Sequence, residues 1–325
     1  MTDLSTDYMG LKLENPIIVA SSRLSKDPDG IKRCADAGAG AVVLKSLFEE
    51  QIRAEMIEPM DELLWHPEAF EYVERMGIET GPKEYLKLIE EAKSSVSIPI
   101  IASLNCISPR QWADYAKRIE LAGADGIELN IALTTGDPNC SGRRIEEICF
   151  RIVEMVKERV EIPIAVKLGP HFSSISWTVK ELAARGASAV VLFNRFYHLD
   201  IDIESMEVLP KLVLSSPHEM SLPLRWISLL WRRVNCDLAA TTGVHDGEGV
   251  IKMLLAGATA VQVCSTLFLN GPERIGQMLR EIRGWMERKN FSSISQFRGR
   301  LSQVWGEKPE LYERVQYIRA LIGIE

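Results

Sequence analysis

The chain has no cysteine pair at C-x-x-C spacing. Its six cysteines, Cys34, Cys106, Cys140, Cys149, Cys236 and Cys264, stand apart, which excludes a zinc ribbon and an iron–sulfur binding loop. The five histidines contain no H-E-x-x-H pattern, so no metal site is expected. No apolar run is long enough to span a bilayer. The opening stretch MTDLSTDYMG is polar and slightly acidic, unlike a signal peptide. Positive charge is not in excess either. Against 45 Asp and Glu stand 38 Lys and Arg, a net charge of -7, and no Lys/Arg cluster offsets that balance. A nucleic-acid surface is therefore not expected. Linkers, low-complexity tracts and charge blocks are missing too, so residues 1–325 are read as a single domain. These absences leave a cytoplasmic chain with reduced thiols as the expectation.

What is present is a globular composition, 46% hydrophobic and 26% charged, enough for a substantial core. A length of 325 residues suits one large α/β barrel or two ordinary domains. One pattern recurs along it. A short β-branched run ends in a polar or small residue, then an amphipathic stretch ends in Ala-Gly-Ala or a close variant. The strand-like runs cover Asn15–Ser21, Ala41–Ser46, Pro99–Asn105, Gly126–Asn130, Ile162–Gly169, Ser188–Asn194, Cys236–Gly243 and Ala260–Thr266. Helical stretches include Arg110–Ala122, Ile145–Arg159, Ser176–Arg185 and Gly247–Leu255, and a long helix follows the eighth strand. DAGAG, LAGADG, ARGASA and LAGATA each precede a strand, with glycine ending the helix at positive φ. Eight continuous apolar strands alternating with helices predict a TIM-type (β/α)8 barrel. A doubly wound sheet also fits the alternation, but the count of eight and the length favour the barrel.

Two segments exceed a minimal barrel. Glu49–Gly77 follows strand two and is rich in Glu, Met and aromatics. Arg195–Leu222 follows strand six, and the alternation in LDIDIESMEVLPKLVLSS reads as a small hairpin. Both insertions fall on strand-to-helix loops, the face where barrels keep their active sites, so each is expected to form a lid or wall. A decorative loop or a dimer surface is the other reading.

The strand ends carry Ala20 and Ser21, Lys45 and Ser46, Asn105, Asn130, Lys167, Asn194, Gly243, then Ser265 and Thr266. One such residue is easily a helix cap or a surface ion pair. Five long polar side chains from five strands, converging on one face, need a ligand with many hydrogen-bonding groups. TTG and CST, after strands seven and eight, leave backbone N–H groups exposed at the usual phosphate site of such barrels. Lys45 and Lys167 are expected on the far side, at an electron-rich head. Flavin mononucleotide (FMN) fits that division, with a lysine near the N1/C2 edge of the ring and asparagine amides matching its donors and acceptors. A sugar phosphate fits less well because it needs acid/base carboxylates, and Asp137 and Asp246 look like turn or cap residues.

The stretches NPIIVASS, AGAGAVVLKSLF, IELN, IPIAVKLGP, LFN, TTGVHDGEGVIKMLLAGATAVQVCSTLFLNGPERI and FRGRL resemble the dihydroorotate dehydrogenases, chiefly the soluble class 1 branch, over nearly the whole chain. The resemblance implies an FMN-binding eight-fold barrel that oxidises dihydroorotate to orotate, or a related dihydropyrimidine, in pyrimidine synthesis. It implies FMN contacts from Ala20, Ser21, Lys45, Ser46, Asn105, Asn130, Lys167, Asn194, Gly243, Cys264 and Ser265. Lys45, Asn130 and Asn194 would also face the substrate. A small-molecule substrate, a homodimer and a separate electron acceptor of unknown identity complete the expectation.

The departures lie in the substrate half. The family follows its strand-four asparagine with an N-x-S-C-P-N loop, or a serine version, whose Cys or Ser removes the substrate proton. The position here is Leu133, the loop is longer, and the second asparagine is at best Asn139. Thr134, and after it Thr135, are the candidates for the base, with Lys45 beside them. The substrate asparagine loop after strand two is replaced by HPEAFEYVERMG, which brings Glu68 and Glu71 into that region. The Gly-Gly phosphate turn is Thr242-Gly243, and a glycine of strand eight is Cys264. Two other readings stay open: a catalytically altered flavin-binding subunit of a redox complex, and a flavin-free phosphate-binding isomerase or lyase.

Overall fold

The structure, a computed structural model, describes residues 2–56, 81–106, 112–131, 133, 136–195, 198–211, 213–305 and 312–322. Its centre is a closed ring of eight parallel strands: β1 (Ile17–Val19), β2 (Ala41–Val43), β3 (Ile100–Cys106), β4 (Gly126–Ile131), β5 (Ile164–Leu168), β6 (Ala189–Leu192), β7 (Asp237–Ala240) and β8 (Ala260–Val263). Each strand pairs with the next in sequence. The pairing of β8 with β1, Val261 opposite Ile17, closes the barrel. A helix follows every strand: α1 (Pro28–Asp36), α2 (Pro82–Ser95), α3 (Trp112–Leu121), α4 (Gly142–Lys157), α5 (Ile175–Ala184), α6 (Ser221–Leu230), α7 (Gly247–Ala256) and α8 (Arg274–Arg288). This is the (β/α)8 architecture expected from the sequence.

Local chemistry places the boundaries. Asp27 caps α1 by accepting from Gly30 N at 2.7 Å, with Pro28 at the first helical position. Asp246 caps α7 through Gly249 N at 2.8 Å, and Asp137 accepts from Asn139 N within a turn, the roles expected of both. Helix α4 begins at Gly142, three residues before the apolar periodicity at Ile145, because the Ser141 side chain caps it. The glycine of the repeated motif has positive φ in all four copies, Gly38, Gly123, Gly186 and Gly257. That geometry turns the chain from helix back into strand.

Alternation along the strands sorts side chains into two layers. Ile17, Val42, Ile100, Leu129, Val166 and Val190 face the helices, where they join the main hydrophobic core. Each such buried side chain contributes roughly 1.5–3 kcal/mol. The inward positions are small: Ala41, Ala165, Ala189, Ala239 and Ala260, with Ile18, Val43, Ile101 and Val191. A hairpin of Thr6–Tyr8 and Leu11–Leu13 fills the remaining space from the N-terminal end with Tyr8, Met9 and Leu13. Asp237 anchors this plug, accepting from Met9 N at 2.8 Å and from the Thr259 hydroxyl at 2.9 Å. One end of the barrel is thus sealed by apolar packing. Asp237 stands at the start of β7, while the inward polar residues Glu128, Lys167 and Gln262 lie toward the middle and C-terminal end of their strands.

The insertion after β6 is the expected hairpin, His198–Asp202 paired antiparallel with Glu207–Lys211. After β2 the chain adds Leu47–Phe48 beside β3 and enters a helix at Glu49–Met56. The rest of the expected Glu49–Gly77 segment, with Glu68 and Glu71, lies outside the described residues. Among the described residues no helix is long and apolar enough to cross a membrane.

Candidate functional site

The C-terminal ends of the strands open into a cavity of 610 Å³, within the range of about 300–1,000 Å³ usual for small-molecule sites. Strand register sets its polar rim. Asn105 of β3 lies beside Asn130 of β4, and Asn130 beside Lys167 of β5. All three are inward positions at the top of the barrel. The Asn194 amide donates to Asn130 Oδ1 at 2.9 Å, joining β6 to β4 across the end of β5. That bond commits Asn130 Oδ1 and one N–H of the Asn194 amide.

Nine of the eleven residues expected at a ligand line this cavity: Ala20, Ser21, Lys45, Ser46, Lys167, Asn194, Gly243, Cys264 and Ser265. Asn130 reaches it through Asn194, and Asn105 flanks it in the strand row. Ser21 and Ser46 hydroxyls are 3.0 Å apart, and Ser46 continues to Ser103 at 2.8 Å. This chain of hydroxyls ties the ends of β1, β2 and β3. Burial pushes the Cys264 thiol up, while the Lys167 charge and a Ser22 hydrogen bond pull the other way.

At the ends of β7 and β8 lies a cluster of small donors. Thr242 and Gly243 both have positive φ, 78° and 79°, so the chain turns sharply at the end of β7. A threonine in that region is strained by about 1–3 kcal/mol, and its hydroxyl is held by Phe193 O at 2.9 Å. Ser215, from the loop before α6, donates its backbone N–H to the Ser265 hydroxyl at 2.9 Å, and its own hydroxyl meets Ser265 Oγ at 2.9 Å and Gly243 N at 3.4 Å. Ser215 was not anticipated. It gains its place only because the segment after the hairpin folds back over β8.

Two further lining residues, Arg195 and Gln262, carry no individual signal in the sequence. Arg195 opens the insertion expected to form a wall of the site, and it lines the cavity with Val213, Leu214 and Ser215. Its Nε donates to Glu219 at 2.8 Å, and a terminal nitrogen donates to Val213 O. Glu219 also accepts from Ser216 N at 2.6 Å, and these contacts hold its carboxyl below the usual range although partial burial opposes the shift. Gln262 of β8 accepts from Lys167 Nζ at 3.0 Å. Lys167 therefore reaches across the barrel interior toward β8. No local pattern in the sequence marks that contact.

Catalytic expectations fare unevenly. Thr134 and Thr135 lie outside the described residues. Lys45 lines the cavity beside Ser46. Leu133, at the position of the family's base, packs against the main hydrophobic core and has no ionisable group.

The comparisons with known proteins agree with this architecture. The dihydroorotate dehydrogenase family profile matches residues 3–286. The catalytic subunit of dihydroorotate dehydrogenase B (NAD(+)) from Methanothermobacter thermautotrophicus is 28% identical over 309 residues, 91% of this chain and 97% of that protein. The subunit of the same name from Thermoplasma volcanium is 29% identical over 311 residues, 92% of this chain and 98% of its own length. That of Pyrococcus furiosus is 28% identical over 312 residues, 93% and 99% of the two chains. With its (β/α)8 barrel, its strand-end cavity and a family match over most of its length, the chain belongs to the dihydroorotate dehydrogenase family of oxidoreductases.

Proposed function

We propose that this chain binds FMN in the strand-end cavity and oxidises a dihydropyrimidine, dihydroorotate or a close relative, at a CH–CH bond. The observation that carries the reading is the joint placement on one cavity of Lys167, Asn194 with Asn130 bonded behind it, and the Thr242-Gly243 turn with Ser265. The donor set fits the group: backbone N–H and hydroxyl donors at β7 and β8 suit a phosphate, and a cation with two amides suits the polar edge of a flavin ring. When bound, FMN supplies the two-electron acceptor. Ala20, Ser21, Ser46, Asn105, Cys264 and Ser265 are proposed to line it.

In this reading the chain's own residues orient and desolvate. Lys167 places a positive charge against the ring edge. Lys45, Asn130 and Asn194 hold the substrate's oxygen and nitrogen atoms. A base must take the neighbouring proton. Thr134, or else Thr135, is proposed for that task, because Leu133 has no basic group. A threonine hydroxyl is a weak base unless a relay drains its proton, so slow proton removal is expected. Titrating FMN into the apoprotein, with flavin fluorescence as the readout, tests the cofactor. Anaerobic reduction by dihydroorotate tests the reaction.

The packed Leu133 specifically favours a second reading, a flavin-binding subunit whose own substrate chemistry is impaired. The two separate on one result: FMN binds in both, but only the first reduces it with a dihydropyrimidine. We also propose a homodimer and a separate, still unidentified electron acceptor in the cytoplasm. The hairpin after β6 presents Leu199, Ile201 and Val208 to solvent on one face, a surface an isologous contact would cover. Sedimentation equilibrium tests the dimer.

A further inference from the structure

Glu128 is the one carboxylate of β4, two residues before Asn130 and on the same inward side. Its exposure is 1%, with Lys167 at 7% and Gln262 at 1%. The three form a closed polar set within the barrel. The Gln262 amide donates to Glu128 Oε2 while Gln262 Oε1 accepts from Lys167 Nζ. Lys167 Nζ also stands 3.6 Å from Glu128 Oε1, an ion pair without a hydrogen bond. Among the described residues, neither Glu128 Oε1 nor the buried Tyr8 hydroxyl of the plug has a hydrogen-bond partner.

A charged pair among inward alanines and valines is costly to fold around. Burying each ion carries a penalty of several kcal/mol, and apolar residues of similar volume commonly stabilise a core as well or better. Packing alone does not account for Glu128. Its geometry relates to the cavity. Lys167 and Gln262 both line it, so the set begins in the barrel interior and ends at the ligand. One N–H of the ammonium is committed to Gln262, which fixes the direction of Nζ and leaves two to point elsewhere.

We propose that Glu128 is a positioning residue and buried counter-charge for Lys167, and through it sets the reduction potential of the flavin. This rests on the FMN reading above. The electrostatics give the sign. Reduction adds negative charge to the flavin, and a nearby cation stabilises the reduced form more than the oxidised one. A carboxylate 3.6 Å from that cation offsets part of its field, and offsets it strongly because water is excluded. Glu128 thus holds the potential lower than Lys167 alone would set it. The isosteric change to glutamine removes the charge and keeps a hydrogen-bonding partner for Gln262.

The test compares wild type, Glu128→Gln, Lys167→Met and the double variant. FMN is titrated in its oxidised and reduced forms, and the potential of the bound flavin is measured. Glu128→Gln is expected to raise the potential, shifting the ratio of oxidised to reduced dissociation constants by about tenfold in favour of the reduced form. Lys167→Met is expected to lower it. Thermal melts of the FMN-free proteins give an independent readout. Lys167→Met, which strands a buried carboxylate, is expected to melt well below wild type, and adding Glu128→Gln to restore most of the loss. An unchanged or lowered potential in FMN-loaded Glu128→Gln would overturn the proposal, as would purely additive melts. Failure of wild type to bind FMN would remove the cofactor reading and this proposal with it, an outcome visible before any variant is made.

Discussion

Asn194 Nδ2 lies 2.9 Å from Asn130 Oδ1, so two residues 64 positions apart act as one hydrogen-bonding edge. Asn130→Ala and Asn194→Ala are each expected to weaken FMN binding by about 1–3 kcal/mol, since each removes its own contact and frees its partner. Because they share a bond, the double variant should lose less than the sum of the two. Isothermal titration of the four proteins measures the coupling. Strict additivity would show that the pair does not act as a unit.

The turn after β7 has no room for a side chain. A Cβ on Gly243 would collide with the backbone of Met220, lying 2.9 Å from its Cα, and φ there is 79°. Gly243→Ala is expected to destabilise the protein by about 1–3 kcal/mol and to weaken phosphate-dependent FMN affinity. Gly142, the first residue of α4, has nothing within 4 Å of an added Cβ. Gly142→Ala should change stability by no more than about 1 kcal/mol. Urea melts of both variants check the contrast.

Asp237 tests whether the two ends of the barrel are separable. Its carboxylate ties the plug, at Met9, to Thr259 at the start of β8, at the end of the barrel opposite the cavity. Asp237→Ala is expected to cost about 1–3 kcal/mol of stability while leaving the potential of bound FMN unchanged. A shifted potential would mean that the plug influences the site.

The architecture was legible because its signals are local. IIV, AVV and AVVL are apolar, mostly β-branched runs, and Asp246 caps a helix three positions from the residue it bonds, whereas the Ser141 cap, which starts α4 at Gly142, was not read from the sequence. Lys167 and Asn194 could be placed at the cavity from strand ends alone. Glu128 and Gln262 could not. Each reads as an unremarked polar residue in a strand, and they meet only because closure of the ring sets β4 opposite β8, 134 residues later. Ser215 and Arg195 were missed for a related reason. They belong to an insertion whose hairpin was readable but whose return path over β8 was not.

Thiol reactivity reports the cavity independently. Burial raises the pKa of Cys34 to about 11 and of Cys149 and Cys236 to about 12, so at neutral pH all three are protonated. Cys34 and Cys149 are also buried, while Cys140 and Cys236 are both partly exposed. Brief alkylation of the native protein, read by mass spectrometry, is expected to label Cys140 and to spare Cys34 and Cys149. Cys264 lines the cavity and should be modified only in the absence of FMN. Equal labelling of Cys264 with and without FMN would place the ligand elsewhere.

Leu133 offers a gain-of-function test. Its side chain packs on the core, and the resemblance sets it at the position of the family's base. Leu133→Cys is expected to accelerate flavin reduction by dihydroorotate by about 10²-fold, the lower range of general-base contributions. Stopped-flow absorbance under anaerobic conditions gives the rate, and no gain would show that proton removal depends on another part of the loop.

The most direct measurement is the anaerobic titration of the FMN-loaded protein with dihydroorotate, following the flavin absorbance. The account predicts stoichiometric bleaching, slower than in a class 1 enzyme that carries a cysteine or serine base measured alongside it. Flavin that stays oxidised at every dihydroorotate concentration, or a protein that takes up no FMN at all, would contradict it.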